Sequence, residues 1–268
     1  MSEPTPVCAD RSGPLSVVAL FSGGASGVRY LLDVDRHNGT NYEIAAGIAD
    51  SREIPGIEVL NKGNVPVEII LDRAGTSGGT GDNETGSDYF REVTEAVDRY
   101  EPDIVLLSGF MRIVREPLLS EYRGRIFNVH PADLRLKEGG SRKYRGTDTV
   151  YRAITSGEEE IRSTVHLVTA GVDEGPLLVV SEPLPINREI VRTFEKFDES
   201  MIRTYADLVQ EWMKWACDGP AIKKTLELFA TGRIGLDRGE VYLKDETGFK
   251  NGYYDLERDE IVSERTDS

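Results

Sequence analysis

The hydrophobic positions fall in short continuous runs separated by amphipathic segments. Leu15–Phe21 (LSVVALF), Tyr42–Ala49, Asp103–Ser108 (DIVLLS) and Arg125–Val129 (RIFNV) are apolar on successive residues, and Val67–Leu71 is a weaker run. A strand buried on both faces reads this way, because its alternate side chains each meet a hydrophobic layer. Between these runs lie segments with helical spacing. Ser26–Arg36 carries Val28, Leu31 and Leu32 on one side, and Ser87–Tyr100 carries Phe90, Val93, Val97 and Tyr100. Strand alternating with helix predicts an α/β fold, a doubly wound and mostly parallel sheet with helices on both faces.

The second half departs from that rhythm. Thr147–Ser156 reads as a helix, and Ser163–Thr169 (STVHLVT) and Leu177–Leu184 read as strands. Their short connection predicts a hairpin, which adds an antiparallel part to the sheet. Ile190–Ala216 reads as one long helix ending before Gly219-Pro220, followed by a short helix near Ala221–Phe229. From Gly232 the chain is charged, with Arg233–Leu236 and Val241–Leu243 spaced as a small hairpin. The expected organisation is a loose leader (1–14), an α/β domain (15–216) and a helical, charged C-terminal extension (217–268). No repeat recurs at a fixed period.

Charge narrows the function classes. Asp and Glu number 47 against 32 Lys and Arg, a net charge of −15. Such a surface argues against nucleic acid and anionic membranes as partners, while a small anion can still bind in a locally positive pocket. Arg outnumbers Lys by 23 to 9, which fits salt adaptation, a GC-rich genome or simply an acidic solvated surface. No run approaches the roughly 20 apolar residues of a membrane span, and Met1–Pro14 lacks the apolar stretch of a signal peptide. Cys8 and Cys217 are too few and too far apart for a disulfide framework or a Cys-based zinc site, so a reducing cytoplasm is expected. Asp72–Ser87 holds five Gly among sixteen residues and almost nothing apolar, which reads either as a surface loop or as a lid beside a site.

Three places carry candidate chemistry. Ser22-Gly23-Gly24-Ala25-Ser26-Gly27 joins the first strand to the first helix, where small residues and a helix N-terminus suit an anion; Gly-rich turns there also arise for steric reasons alone. Asn128 and His130, in Asn128-Val129-His130-Pro131, lie on one side of a strand end, about 6–7 Å apart. An amide donor beside an imidazole can stabilise an oxyanion and move a proton, although a lone strand-end His is commonly structural. Asp173 lies in a Gly-flanked loop after a strand, where it can orient an imidazole or cap a turn.

In this order these pieces resemble the phosphoribosylglycinamide formyltransferases, within the folate-dependent formyltransferase family. The resemblance runs from about Leu15 to Ile186. It rests on Pro102-Asp-Ile-Val-Leu-Leu-Ser-Gly-Phe-Met-Arg-Ile-Val114, Phe127-Asn-Val-His-Pro131, Ser163-Thr-Val-His166 and Asp173-Glu-Gly-Pro176. It implies Asn128, His130 and Asp173 as catalytic residues. It also implies a folate site on Met111, Arg112, Ile113 and Val114 and on Ala170, Gly171 and Val172, and a phosphate site on Ser22–Gly27. The implied reaction is direct formyl transfer from 10-formyltetrahydrofolate, as co-substrate, to the amine of glycinamide ribonucleotide in purine biosynthesis. It requires no metal and takes place between small molecules, a phosphorylated amine and a folate. The resemblance is compatible with a homodimer.

The departures lie on the amine side. The family's turn Ser-Gly-Asn-Gly-Ser-Asn becomes Ser22-Gly-Gly-Ala-Ser-Gly27, without either Asn. The family's substrate-contacting Arg falls near Gly86, leaving Arg73 or Arg91 as substitutes. Ser-Leu-Leu-Pro becomes Ala132-Asp-Leu-Arg135, followed by an extra segment to Arg142, and a family His becomes Asp148. These changes keep two relatives of the reaction in view: hydrolysis of formyltetrahydrofolate and transfer to another amine, such as an amino-sugar nucleotide. A binding protein without catalysis is a third reading, which the retained Asn128, His130 and Asp173 oppose.

Overall fold

The computed structural model describes residues 3–8, 13–34, 41–72, 83–196 and 198–263. Its main sheet has nine strands: β1 (Leu15–Phe21), β2 (Tyr42–Ala49), β3 (Val67–Ile69), β4 (Ile104–Leu107), β5 (Ile126–His130), β6 (Thr164–Leu167), β7 (Leu177–Val180), β8 (Tyr253–Asp255) and β9 (Glu260–Val262). Their spatial order is β9-β8-β7-β6-β5-β4-β1-β2-β3. From β3 to β5 neighbouring strands are parallel. β6 then runs antiparallel to both β5 and β7, as the predicted hairpin requires.

The continuous apolar runs have the predicted cause. In β1, Val17, Ala19 and Phe21 face one hydrophobic layer while Val18 and Leu20 face the other. The first layer includes α1 (Ser26–Asp33), α2 (Pro55–Lys62) and α8 (Gly219–Ala230), through Val28, Leu60 and Phe229 among others. The second is capped by α3 (Asn83–Asp98), through Phe90, Val93 and Val97, and by the short α4 (Leu118–Glu121), through Leu118. A third cluster gathers α5 (Thr149–Thr155), α6 (Arg188–Phe194) and α7 (Glu199–Met213) around Tyr144 and Ile186.

Several boundaries differ from the sequence reading. The single helix expected over Ile190–Ala216 is two, because the Asp198 side chain accepts the Ser200 N–H and starts α7 afresh. Nor does the helical path stop at Gly219-Pro220. A π-helical turn, Lys214–Asp218, runs straight into α8, whose first turn tolerates Pro220. α2 and the β8–β9 pair form where the sequence carries no strong periodic signal. α3 begins at Asn83, so the end of the Gly-rich stretch is helical; residues 73–82, and with them Arg73, lie outside the described residues.

The segments set apart as leader and extension pack on each other and on the first hydrophobic layer, the leader through Val7 and Cys8. Thr5–Pro6 pairs with Ile234–Asp237, which pairs in turn with Glu240–Asp245 as the tail's spacing predicted. α8 packs in the first layer, and β8 lies parallel to β7.

Candidate active site

Parallel strands bring their carboxyl ends to one edge, and a ligand cleft forms where the order reverses. Here β1 turns outward to β2 on one side and to β4 on the other. A cleft of about 460 Å³ opens there, lined by Ser26 at the start of α1, Gly109–Val114 after β4, Asn128–Pro131 on β5, and Thr169 and Gly171–Asp173 after β6.

The polar centre is built across the β5–β6 pair. Register sets Asn128 opposite His166, and Thr164 opposite His130. The β6–β7 ladder slips by one residue at Val165/His166, which re-aims the chain beside the cleft. The loop after β6 then returns Asp173, held at φ 53°, into the space between the two imidazoles. One carboxylate oxygen lies 3.4 Å from His130 Nδ1, and the other lies 3.4 Å from His166 Nε2. The Gly146 N–H donates to Asp173 at 2.8 Å, and an Arg142 N–H donates to its backbone carbonyl. His130 and His166 are buried, and Asp173 is partly exposed to the cleft, its side chain 9% accessible. Asn128 Nδ2 lies 3.4 Å from His166 Nε2.

Burial alone would raise the Asp173 pKa. The His166 contact, the His130 charge and the Gly146 N–H outweigh it and bring the pKa down to about 2. His130 moves the other way: burial lowers its pKa against the opposing pull of Asp173 and the Tyr144 carbonyl. Its Nε2–H donates to that carbonyl at 2.8 Å. Asp173 is therefore an anion and His130 a neutral base near pH 7, with a carboxylate and a carbonyl placed to receive an imidazolium once His130 takes a proton.

The residues expected to hold folate fall mostly along one side of this cleft. Met111, Arg112, Ile113, Val114, Gly171 and Val172 all line the cleft, while Ala170 does not. Met111 is 72% exposed and Ile113 55%, an uncovered apolar rim that a flat ring system can bury. The Arg112 guanidinium is already committed. It bonds Asp50 at 3.0 Å and Asp72 at 2.9 Å, and stacks over Tyr89.

The turn Ser22–Gly27 contributes unevenly. Ser26 reaches the cleft. Ser22 instead ties the turn to its neighbours, donating to Asp50 at 2.7 Å and accepting the Met111 N–H at 2.9 Å. The Gly27 and Val28 N–H groups at the start of α1 donate to Ser108 Oγ, at 3.1 and 3.3 Å, so these two amides are already partnered. The Gly23 carbonyl accepts the Gly56 N–H, and Ala25 precedes the helix with φ 47°. Arg91, one of the substitutes for the missing Arg, pairs with Asp88 on the exposed face of α3.

Among the cleft residues that sequence reasoning missed are His166, Gln210, Lys214 and Asp218. His166 was visible as the alternating His of STVHLVT, but its place depends on the β5–β6 register. The other three project from α7 and the π turn. Asp218 is buried, accepts from Ser163 Oγ, and has a pKa raised to about 6, chiefly by burial. Among the described residues no group of three or more His, Cys, Asp or Glu is arranged to hold a metal ion, and no helix is long and apolar enough to cross a membrane.

Residues 15–199 match the formyl transferase family model. Phosphoribosylglycinamide formyltransferase of Escherichia coli is 30% identical over 165 residues, covering 62% of this chain and 71% of the relative. The solved phosphoribosylglycinamide formyltransferase of Coxiella burnetii superposes with a TM-score of 0.67 at 25% identity, over 88% of this chain and 96% of that one. A formyltetrahydrofolate deformylase from Pseudomonas syringae superposes with a TM-score of 0.66 over 87% of this chain and 67% of that one. At 16% identity, that likeness carries the fold alone.

Proposed function

This chain belongs to the formyl transferase family, and from that premise we propose that it moves the formyl group of 10-formyltetrahydrofolate onto the amine of glycinamide ribonucleotide, a step of purine biosynthesis. The observation that carries the reading is the Asp173 carboxylate between two imidazoles, in one cleft with Asn128, an apolar rim and the N-terminal end of α1.

The residues divide the work as follows. The pterin of the folate lies against Met111, Ile113, Val114 and Val172, with Arg112 and Gly171 shaping the same wall. The amine attacks the formyl carbon and gives a tetrahedral adduct whose oxygen carries negative charge. The Asn128 amide donates to that oxygen, where a preorganised donor stabilises the adduct more than the ground state. His130 accepts the proton that the attacking nitrogen sheds. The imidazolium is then held by Asp173 and the Tyr144 carbonyl, and the proton passes to N10 as the C–N10 bond breaks. Carbon, nitrogen and proton balance without a metal.

The ribonucleotide phosphate sits at Ser22–Gly27. Its contacts are the backbone amides of Gly24–Ser26 and the Lys214 ammonium, which shares the cleft with Ser26; Gly27 is committed to Ser108. Asp218 accepts from the ribose hydroxyls. A reducing cytoplasm is the proposed setting of the reaction.

The test is to incubate the purified protein with 10-formyltetrahydrofolate, with and without glycinamide ribonucleotide, and to follow tetrahydrofolate. Turnover that depends on the ribonucleotide is expected. Equal turnover without it would make the protein a hydrolase, and turnover only with another amine would reassign the acceptor.

A further inference from the structure

Residues 142–146 form the loop that reaches both His130 and Asp173. The Tyr144 carbonyl accepts from His130 Nε2 at 2.8 Å, and the Gly146 N–H donates to Asp173 at 2.8 Å. Two carbonyls flank that of Tyr144, and one side chain takes both. Arg152 donates from one guanidinium nitrogen to the Lys143 carbonyl at 2.7 Å and from another to the Arg145 carbonyl at 2.9 Å. The same guanidinium lies 5.7 Å from the centre of the Tyr144 ring. It stands on a fixed base. α5 is packed in the third cluster through Val150, Ala153 and Ile154, and the Thr149 hydroxyl donates to the Pro131 carbonyl, one residue after His130. The Tyr144 side chain is buried, and its hydroxyl donates to Glu158 at 2.7 Å.

We propose that Arg152 is a positioning residue for His130 and Asp173. By spanning the Lys143 and Arg145 carbonyls it holds the bend in which the carbonyl between them faces His130 and the Gly146 N–H faces Asp173. The inference rests on the reaction assigned above, in which His130 accepts the proton of the attacking amine. A guanidinium suits the task because its donors form a planar fork of fixed direction, whereas an ammonium is a compact point charge. Arg152 does not line the cleft, so it acts through the loop. Arg142 and Arg145 join this loop to the next, at the Asp173 carbonyl and at Glu174; Arg152 sets the shape of the loop itself. Its loss has two consequences of opposite sign for His130. Removing a nearby cation favours the imidazolium, and removing the Tyr144 carbonyl as acceptor disfavours it. The groups that face His130 are Asp173 at 3.4 Å, His166 on β6 and Arg142 in the same loop. Arg112, Asp148, Lys214 and Asp218 line the same cleft. All of them are kept when Arg152 alone is changed.

The experiment follows the ring protons of the three histidines by NMR as pH is varied, on the full chain without substrates. The His130 signal is the one missing from His130→Ala. Arg152→Ala is expected to lower the His130 midpoint by about half a pH unit or more. Arg152→Lys keeps the charge and loses the fork, so it too is expected to lower the midpoint. With 10-formyltetrahydrofolate and glycinamide ribonucleotide, both variants should lose roughly 10- to 100-fold in kcat at pH 7, as a misplaced reacting group does, with KM for each substrate near its wild-type value. Arg152 is exposed, so the fold should be retained, which circular dichroism checks. A His130 midpoint that stays or rises in both variants overturns the proposal, as does wild-type kcat in both. A lowered Tm with an unmoved midpoint overturns it too, because Arg152 would then be structural only. Where wild type itself transfers no formyl group the assigned reaction fails, and the titration alone decides for Arg152.

Discussion

At the scale of single residues, the site turns on how burial treats two kinds of charge. His130 sits in a place that disfavours its cationic form, and Asp173 in one that favours its anion. The rate should therefore rise with pH through a midpoint below 6.5, as His130 loses its proton. His130→Ala and Asn128→Ala should each lower kcat by roughly 10²- to 10⁴-fold and leave the circular dichroism spectrum unchanged. Full activity in either would sink the proposed roles. Asp218 gives the opposite linkage. Its folded pKa of about 6 exceeds its ordinary value of 3.8, so the folded state keeps a proton that the unfolded chain releases between those values. Its stabilising contribution is present below about pH 4 and is lost as pH rises through 6, at a cost of up to about 3 kcal/mol. Asp218→Asn keeps an acceptor for Ser163 without the charge, so its gain in Tm over wild type should be larger at pH 8 than at pH 4. Equal gains would mean that Asp218 titrates normally. Asn128, His130 and Asp173 were legible because each ends a recognisable strand or loop motif. Asp218 was not, because its burial depends on how the π turn docks against Ser163, far from it in sequence.

At the scale of elements, hydrophobic runs found the central strands, and local side-chain chemistry decided where helices began. The α6–α7 break is invisible to periodicity, since the apolar spacing continues across it; the Asp198 cap makes it. The apolar spacing over Ile190–Ala216 reads as one helix without saying which of its apolar positions are buried, and α7 carries a buried apolar face. It holds a second, exposed one that only the packing separates from the first. The loop that carries Asp173 depends on a close approach that the sequence showed only as Glu174-Gly-Pro. A Cβ on Gly175 would lie 1.8 Å from the Leu167 carbonyl oxygen and 2.8 Å from its carbon, so backbone would have to move. Overpacking of this kind costs roughly 1–3 kcal/mol. Gly175→Ala should therefore displace the loop that aims Asp173. The expected result is a kcat at least tenfold lower with the Tm reduced by a few degrees, measured by steady-state turnover and thermal melting. Wild-type turnover in that variant would show that the loop tolerates the shift.

At the scale of the whole molecule, the acidic excess and the cleft act in opposite directions. Many carboxylates are paired: Asp50 and Asp72 with Arg112, and Asp133 and Asp255 with Arg135. Others pair on the exposed surface, as Glu58 does with Lys62, where an ion pair adds little. The net −15 is what pairing leaves over. Spread over one surface, that excess destabilises the compact state by self-repulsion. Salt screens exposed charges beyond a Debye length of about 10 Å at 0.1 M, while the partly buried pairs at the cleft are screened far less. Repulsion should therefore weaken before the stabilising pairs do. The Tm of wild type should rise steadily as sodium chloride is raised from about 0.02 to 0.5 M, across a range in which the Debye length falls several-fold. A Tm that falls with salt would mean that the exposed pairs outweigh the excess, and that the acidic surface reflects composition rather than an adaptation to salt.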